Sequence, residues 1–436
     1  MEHRTIRDGA KAERDLLPAF NELKGLCPKA FKNDGAGGLR VSFVGIAIAN
    51  NTLIVSLPKG DDSRGDPSNR IPLTEAVRIL VRSLIQYEKD EPLEAMADEA
   101  LSGGERLRVA FKILEDYRVN GLVNRYKSVV RPNASGNVAW QKTISRTTPL
   151  CSDSSVVYPT TYARHYVSNS EDPLRRVQEQ VVGECLDLLG EIYGMKRPAG
   201  LGANPFSCSN KALLSILEKE KAATYSQREL ELVTLLAEYL RGSLSQAGDT
   251  SPSLFGSLYF EHVWEAACKV VFCDEADLQR IMPQPEWELV HLEHGSASTK
   301  AIRQIPDVLA RQNNVMYILD AKYYETSVSL PGWPDAVKQI YYQDTLERRL
   351  VKRGGELARA LCVERTANAF LLPGSVDDEC ALMGSVHFPS IDDGNRWGYI
   401  DAYVVDVWKC LECYIKDAER RDWLEILNFG TRLLKP

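Results

Sequence analysis

Two aspartates and a lysine in the second half of the chain have the types and spacing to do chemistry. Ile305-Pro306-Asp307-Val308 is followed by Tyr317-Ile318-Leu319-Asp320-Ala321-Lys322-Tyr323-Tyr324, with twelve residues between Asp307 and Asp320. If Asn313-Asn314 is the two-residue turn of a hairpin, Asp307 stands opposite Asp320 across the ladder. Directly opposed residues have Cβ atoms ~4.5–5.5 Å apart, and like charges there are destabilising unless something neutralises them. A divalent cation is the obvious neutraliser. Side chains alternate along a strand, so Lys322 lies on the face of Asp320, beside whatever the carboxylates hold. Hard cations such as magnesium take carboxylate oxygens, keep several waters and make them easier to deprotonate. A neighbouring lysine can then orient the attacking water and stabilise charge developing on a phosphate. This is the chemistry of phosphodiester hydrolysis.

The competing reading is an exposed Asp320–Lys322 ion pair of little energetic consequence. Against it, Val315 to Leu319 is continuously apolar, which marks a strand buried on both faces rather than a half-exposed one.

The elements that must position these groups read as follows. Val41 to Ala49 and Thr52 to Leu57 form an early hairpin joined by Asn50 and Asn51, because Asn tolerates the positive φ of a tight turn. A polar loop, Asp61 to Ser68, follows. Helical periodicity covers Leu73 to Tyr87, Arg106 to Tyr117, Leu174 to Tyr193 and Gln227 to Leu240, with an irregular, partly β region from Arg131 to Val167. Arg241 to Ser257, rich in Gly and Ser, marks a domain boundary. Two parts, 1–245 and 246–436, are therefore expected, with Asp307, Asp320 and Lys322 in the second. In the second part Tyr259 to Phe272 is a helix, and Glu288 to Leu292, Ile302 to Arg311 and Val315 to Tyr324 are extended. Pro334 opens a helix through about Leu350. Later strands are Ala369 to Leu372, Gly384 to Phe388 and Tyr399 to Val405, and Val404 to Lys416 runs from strand into helix. The order is mixed α/β, a class many folds share, so function rests on the site.

A chain of 436 residues exceeds a single small module, and 44% apolar with 26% charged residues is the composition of a folded globular protein. No apolar run approaches the ~18 residues needed to cross a bilayer, and Met1 to Asp15 is polar and charged. A cytoplasmic protein with no membrane partner is expected. The ten cysteines are scattered and suggest no disulfide framework. Cys410 and Cys413 lack the second pair of a zinc site, so a structural role is expected for them, and His291 and His294 lack a metalloprotease context and are expected as surface or loop residues. The net charge of −7 excludes a uniformly basic coat but not a local patch. Between Tyr117 and Ser152 lie Arg118, Arg125, Lys127, Arg131, Lys142 and Arg146 with no acidic residue, interleaved with Tyr126 and Trp140. That run is either a solvated face or a DNA-phosphate surface. Leu101-Ser102-Gly103-Gly104-Glu105-Arg106 is close to the signature of ABC transporter ATPases, but no GxxxxGK[ST] loop exists to cradle nucleotide phosphates.

The spacing PD, twelve residues, DxK resembles the PD-(D/E)xK nuclease superfamily, and Glu261 matches the acidic residue that its members often supply as an additional ligand. Along nearly the whole chain the sequence resembles LlaJI-family restriction endonuclease subunits, related to McrC nuclease subunits of the McrBC type. The stretches that carry this are Phe43-Val44-Gly45-Ile46 through Leu57-Pro58-Lys59-Gly60, Asn137 to Ile144, Phe260-Glu261-His262-Val263-Trp264-Glu265, the two catalytic strands, and Lys338-Gln339-Ile340-Tyr341-Tyr342. The resemblance implies a mixed α/β N-terminal DNA- or partner-binding region, 1–245, followed by a PD-(D/E)xK restriction-endonuclease-like nuclease domain, 246–436. It implies a magnesium-dependent endodeoxyribonuclease subunit of a two-component, antiviral restriction system, acting on double-stranded DNA with a separate McrB-like AAA+ NTPase. Asp307, Asp320 and Glu261 would hold Mg2+ and Lys322 would position the water. Gln339 would stand near the active centre, or else at a solvated helix position. Two other functions stay open on the residues alone: a catalytically silent nucleic-acid-binding or assembly subunit that retains the fold, and a nuclease for RNA or repair substrates.

Overall fold

Two Asn-Asn pairs adopt positive φ, 47° and 58° at Asn50 and Asn51, 49° and 62° at Asn313 and Asn314. Each closes a two-residue hairpin of the type that needs positive φ at both positions. The protein is seen here as a computed structural model that describes residues 2–34, 38–61, 71–90, 104–202, 206, 208–245, 252–285, 304–390 and 396–434.

The chain begins with β1 (Glu2–Arg7), α1 (Leu17–Leu26), β2 (Phe31–Asp34), β3 (Gly38–Val41), β4 (Val44–Ala49), β5 (Thr52–Leu57) and α2 (Leu73–Asp90). The early hairpin is β4–β5, paired Ile48 to Leu53, and β1 adds parallel to β5. It starts later than expected, since Val41 ends β3. Between them Phe43 turns inward, its ring 6.0 Å from that of Phe31. One side of α1 supplies Ala19, Phe20 and Leu23 to a core shared with Phe31, Ala47 and Ile54.

Residues 105–249 form a compact unit of their own. Its elements are α3 (Glu105–Asn120), β6 (Tyr126–Pro132), β7 (Asn137–Val138), α4 (Trp140–Arg146), β8 (Leu150–Ser152), β9 (Ser155–Val157), β10 (Tyr162–Ser168), α5 (Pro173–Leu189), α6 (Asn210–Ala223) and α7 (Gln227–Ser245). α3 packs on α7 and α5, and α6 on α7. α5 starts where expected because Pro173 opens it and the Asp172 carboxylate accepts the Arg175 N–H. β6, β10 and β7 make a three-stranded sheet, and β8–β9 is a small hairpin.

The chain then returns to the first unit, made of residues 1–104 and 250–436. β11 (Ser253–Ser257) pairs antiparallel with β4, Phe255 opposite Ile46, giving the sheet order β1-β5-β4-β11. The expected region 1–245 is therefore not one body. Residues before 105 belong with the C-terminal half because β11, just past the Gly/Ser-rich boundary, completes their sheet. The same pairing explains Gly104, since a Cβ there would collide with the Leu254 carbonyl oxygen of β11. Close backbone approach, not nucleotide binding, requires that glycine.

The remaining elements are α8 (Phe260–Val271), α9 (Ala276–Gln279), β12 (Val308–Gln312), β13 (Val315–Ala321), α10 (Trp333–Ala360), β14 (Arg365–Gly374), β15 (Cys380–Val386), β16 (Ile400–Asp406), α11 (Val407–Ile415), α12 (Arg421–Ile426) and β17 (Arg432–Leu433). They build a mixed sheet of order β12-β13-β14-β16-β15, with β17 against β14. β13, β14 and β16 run parallel. α10 leaves its helical path at Lys352 to Gly355, close to the expected end, where Gly354 and Gly355 supply positive φ. The expected strand Glu288 to Leu292 and both His291 and His294 lie outside the described residues. All ten cysteines are free thiols, and Cys410 and Cys413 are buried on α11. No helix among the described residues is long and apolar enough to cross a membrane.

Candidate active site

β13 is buried along all seven residues, because it lies inside the sheet between β12 and β14 with the apolar run Val315 to Leu319 facing both sides. Its ladder with β12 pairs Gln312 with Val315 and Val308 with Leu319. One step beyond that ladder, Asp307 meets Asp320, as the turn geometry requires. The Asp307 carboxylate also reaches across the hairpin, its Oδ2 accepting the Ala321 N–H at 2.9 Å. The Lys322 N–H bonds Leu371 O at 2.9 Å and continues the alternation past the end of β13. Lys322 consequently shares the face of Asp320, and its Nζ lies 2.7 Å from Asp320 Oδ2. That contact is an ion pair outside good hydrogen-bond geometry, and Oδ1 has no hydrogen-bond partner among the described residues although Asp320 is 0% exposed.

The electrostatics follow from crowding. Burial, then Asp320, then Glu265 push the Asp307 carboxyl up to about 7, with Lys322 pulling the other way. Burial alone would lower the Lys322 ammonium, but Asp320 and Asp307 together hold it above its usual value. Glu265 is likewise raised, first by burial and also by Asp320, against the pull of His262, Lys269 and Lys322. The cluster holds three acids for one lysine, and a buried carboxylate oxygen without a donor is costly. A cation between Asp307 and Asp320 would answer both problems. The described residues assemble no set of three or more His, Cys, Asp or Glu side chains as a closed metal cage. Magnesium does not need one, since it binds through one or two carboxylates plus waters and substrate phosphates.

α8 carries two acids, each near a different ionic cluster. Phe260, Val263, Trp264, Ala267, Cys268 and Val271 bury one side, and Trp264 Nε1–H bonds Leu371 O at 3.3 Å, fixing the helix against β14. Glu261 and Glu265 sit one turn apart. Glu261, the residue expected at the centre, acts on Asp8 and Tyr323. Glu265 acts on Asp307. Both lie in the stretch Phe260 to Glu265 and on the same side of the helix, so the helical period offers either; their positions along the axis set Glu261 by Asp8 and Glu265 by Asp307.

Gln339 is fully buried, neither solvated nor free to reach substrate: its Nε2 donates to Ile318 O at 2.9 Å and Ala369 O at 3.4 Å. It bonds α10 to β13 and β14 two residues from Asp320. Asp335 and Tyr324 had no signal in the sequence. Asp335 Oδ1 lies 3.7 Å from Lys322 Nζ, and the Tyr324 hydroxyl donates to Asp335 Oδ2 at 3.2 Å.

The six basic residues of 118–146 divide. Arg118 pairs with Glu115 at 2.9 Å. Arg125 is held among Glu220, Glu229 and Asp172, at 2.5, 2.5 and 3.6 Å. These two stabilise their own unit. Lys127 and Arg131 on β6 and Lys142 and Arg146 on α4 are exposed, Lys142 standing over the Tyr162 ring.

Comparison with known proteins adds the following. The model of the LlaJI restriction endonuclease family matches residues 43–407. The type II restriction enzyme BsuMI component YdjA of Bacillus subtilis (strain 168) is 24% identical over 379 residues, covering 82% of this chain and 78% of that protein. Among solved structures, a chain of the half-complex from the tetradecameric assembly of Thermococcus gammatolerans McrB AAA+ hexamers with bound McrC is similar at 16% identity and a TM-score of 0.38, covering 95% of this chain and 99% of that one.

Proposed function

The chain belongs to the LlaJI restriction endonuclease family, and from that premise we propose that it is the PD-(D/E)xK nuclease subunit of a multi-component restriction system, hydrolysing DNA phosphodiester bonds with magnesium. The observation that carries this reading is the pair Asp307 and Asp320, opposed across a two-residue hairpin with Lys322 on the same face and a buried, undonated Asp320 Oδ1. Such a cluster has no structural merit by itself, because removing the charges would relieve it.

Asp307 and Asp320 would hold the magnesium, and Glu265, rather than Glu261, is the helix acid within their field. Bound there, the ion supplies Lewis-acid stabilisation of phosphate charge and a more acidic water. Lys322 donates from Nζ to the attacking water and to the phosphate oxygen that gains charge. β13 supplies precision, since its burial on both faces fixes Asp320 and Lys322 in one geometry. Gln339 supports the site from behind by tethering α10 to the carbonyl of Ile318.

The partner reading rests on three supports. The relative YdjA is called a component of its restriction enzyme. This chain has no GxxxxGK[ST] loop, so an NTPase would have to be a separate, McrB-like AAA+ chain. Residues 105–249 also expose apolar side chains suited to protein contact, among them Leu150, Val156 and Val157 of the β8–β9 hairpin. Lys127, Arg131, Lys142 and Arg146 of the same unit suit DNA phosphates.

The test is cleavage of duplex DNA by the purified chain, with and without an McrB-like NTPase partner, in magnesium or in chelator. Magnesium-dependent strand breaks that vanish in Lys322→Ala are expected. Equal cleavage in chelator, or full cleavage by Lys322→Ala, would overturn the reading.

A further inference from the structure

Among the described residues two carboxylates lie within ion-pair distance of Lys322 Nζ, and they differ in character. Asp320, 2.7 Å from Nζ, is deep in the sheet with an Oδ1 that meets no donor among the described residues. Asp335, 3.7 Å from Nζ, belongs to the first turn of α10. Its Oδ2 is already occupied, accepting the Gly332 N–H at 3.1 Å and the Tyr324 O–H at 3.2 Å. Those two bonds, with Pro334 beside it, fix the carboxylate and leave Oδ1 as the atom turned to the ammonium. Asp335 is thus a placed acceptor about one ångström beyond the length of a charge-assisted hydrogen bond.

A cation entering between Asp307 and Asp320 meets an obstacle, because Nζ sits on Oδ2 of the same Asp320 carboxylate and carries like charge. The lysine stem is flexible and its three donors are equivalent, so the ammonium can move if another anion receives it. Leaving it without one in a half-buried site would cost much of the binding energy. We propose that Asp335 is that receiver: Lys322 covers Asp320 while the site is empty of metal and passes to Asp335 when a divalent cation binds the two aspartates. Asp335 is then a positioning residue, and metal loading and lysine placement are one coupled event. The proposal rests on the metal-dependent reading above. It goes further in assigning a residue outside the Asp-Asp-Lys set to the control of loading.

A plain capping role for Asp335 makes a different expectation, since it would alter the stability of α10 without regard to Lys322. Isothermal titration of the full chain with Ca2+ alone, free of DNA, separates the two. Four proteins suffice: wild type, Asp335→Asn, Lys322→Met and the double variant. Asn keeps an acceptor for the Gly332 N–H, and Asp335→Gln, a neutral residue that makes the same back-bond from the third helical position, provides a second substitution if Asn disturbs the fold. Asp335→Asn is expected to weaken Ca2+ binding about tenfold, a middle value for coupled neighbouring charges. Lys322→Met should bind more tightly than wild type, and in that background Asp335→Asn should change nothing. Equal weakening in both backgrounds, or none in either, overturns the proposal while the metal-dependent reading stands. Absence of Ca2+ binding in all four proteins overturns that reading and the proposal with it.

Discussion

One helix, α8, presents acids to two ionic clusters a single turn apart, and only one of them is short of compensation. At Glu261 the cluster is Asp8, Lys59 and Tyr323. Lys59 Nζ lies 3.6 Å from Asp8 Oδ2 and 4.5 Å from the centre of the Tyr323 ring, while the Tyr323 hydroxyl accepts the Lys59 N–H at 2.8 Å and donates to Asp8. Asp8 is still raised, mainly by burial, but Lys59 and Tyr323 both pull it back. At Glu265 the cluster is Asp307, Asp320 and Lys322, and burial and Asp320 push the Asp307 carboxyl upward with Lys322 against them. Composition is therefore a poor guide, since each cluster combines carboxylates with one lysine. What distinguishes a closed structural network from a site awaiting a ligand is whether every buried oxygen has its donor.

The two lysines offer the largest contrast. Lys322→Ala should abolish magnesium-dependent cleavage, a barrier increase of at least ~3 kcal/mol by analogy with loss of one electrostatic donor, while with magnesium neutralising the aspartates the melting temperature stays near wild type. Lys59→Met should do the reverse. It leaves Asp8 buried beside Glu261 without its cation, which should destabilise the fold by about 1–3 kcal/mol with turnover of the folded fraction near normal. Cleavage assays and denaturant unfolding on both variants decide it; a Lys59→Met protein that folds normally and cannot cut would dissolve the distinction between the clusters.

The two glutamates give a smaller and sharper comparison, because they are the same residue type on one helix. Glu265→Gln should lower cleavage by about 10–100-fold, the scale for residues that orient or assist metal ligands. Glu261→Gln should alter it by less than a factor of about two, and should slightly stabilise the chain by relieving Asp8. Initial rates over a magnesium titration measure both, and the opposite ranking would restore Glu261 to the role its place in the sequence suggested.

That ranking also marks where the sequence was legible. The hairpin register could be read because Asn313-Asn314 admits one turn class and the turn fixes every opposed pair, including 307 with 320. The burial of β13 could be read from its unbroken apolar run. Local chemistry had a local signal in both cases. Glu265 could not be chosen over Glu261, because the two share a face and the choice depends on where along its axis α8 is docked against β14, which Trp264 and Leu371 settle only in three dimensions. Asp335 is farther still from a sequence signal, since a capping aspartate after Gly-Trp-Pro looks the same whether or not a lysine faces its other oxygen. The domain boundary near 245 was visible as a Gly/Ser-rich stretch. That β11 beyond it completes the N-terminal sheet was not, because strand pairing across 200 residues leaves no periodicity to read.

The smallest expected effect is the one most specific to the open cluster, and its sign depends on pH and metal together. Asp307 titrates in the folded chain at about 7 against an ordinary value of 3.8. A carboxyl raised in this way binds its proton more tightly folded than unfolded, so the stability it lends is fully present below its ordinary value and is lost as pH rises through about 7. In chelator, wild type should therefore melt progressively lower between about pH 4 and pH 7 and level off above. Asp307→Asn holds no titrating proton there, so its melting temperature should fall less over that range and exceed wild type at pH 8. The relief expected for a directly opposed like-charged pair is a few tenths to ~1 kcal/mol. Added Ca2+ reverses the order, since a ligand that binds only the native state stabilises in proportion to RT ln(1 + [L]/Kd), and the variant has lost an anionic ligand. Asp8→Asn is the companion measurement from the closed cluster, and there Ca2+ should stabilise the variant as much as it stabilises wild type. An Asp307→Asn protein that melts below wild type at pH 8 in chelator, yet gains as much from Ca2+, would show that Asp307 is held for structure and that the opposed pair is not the metal site.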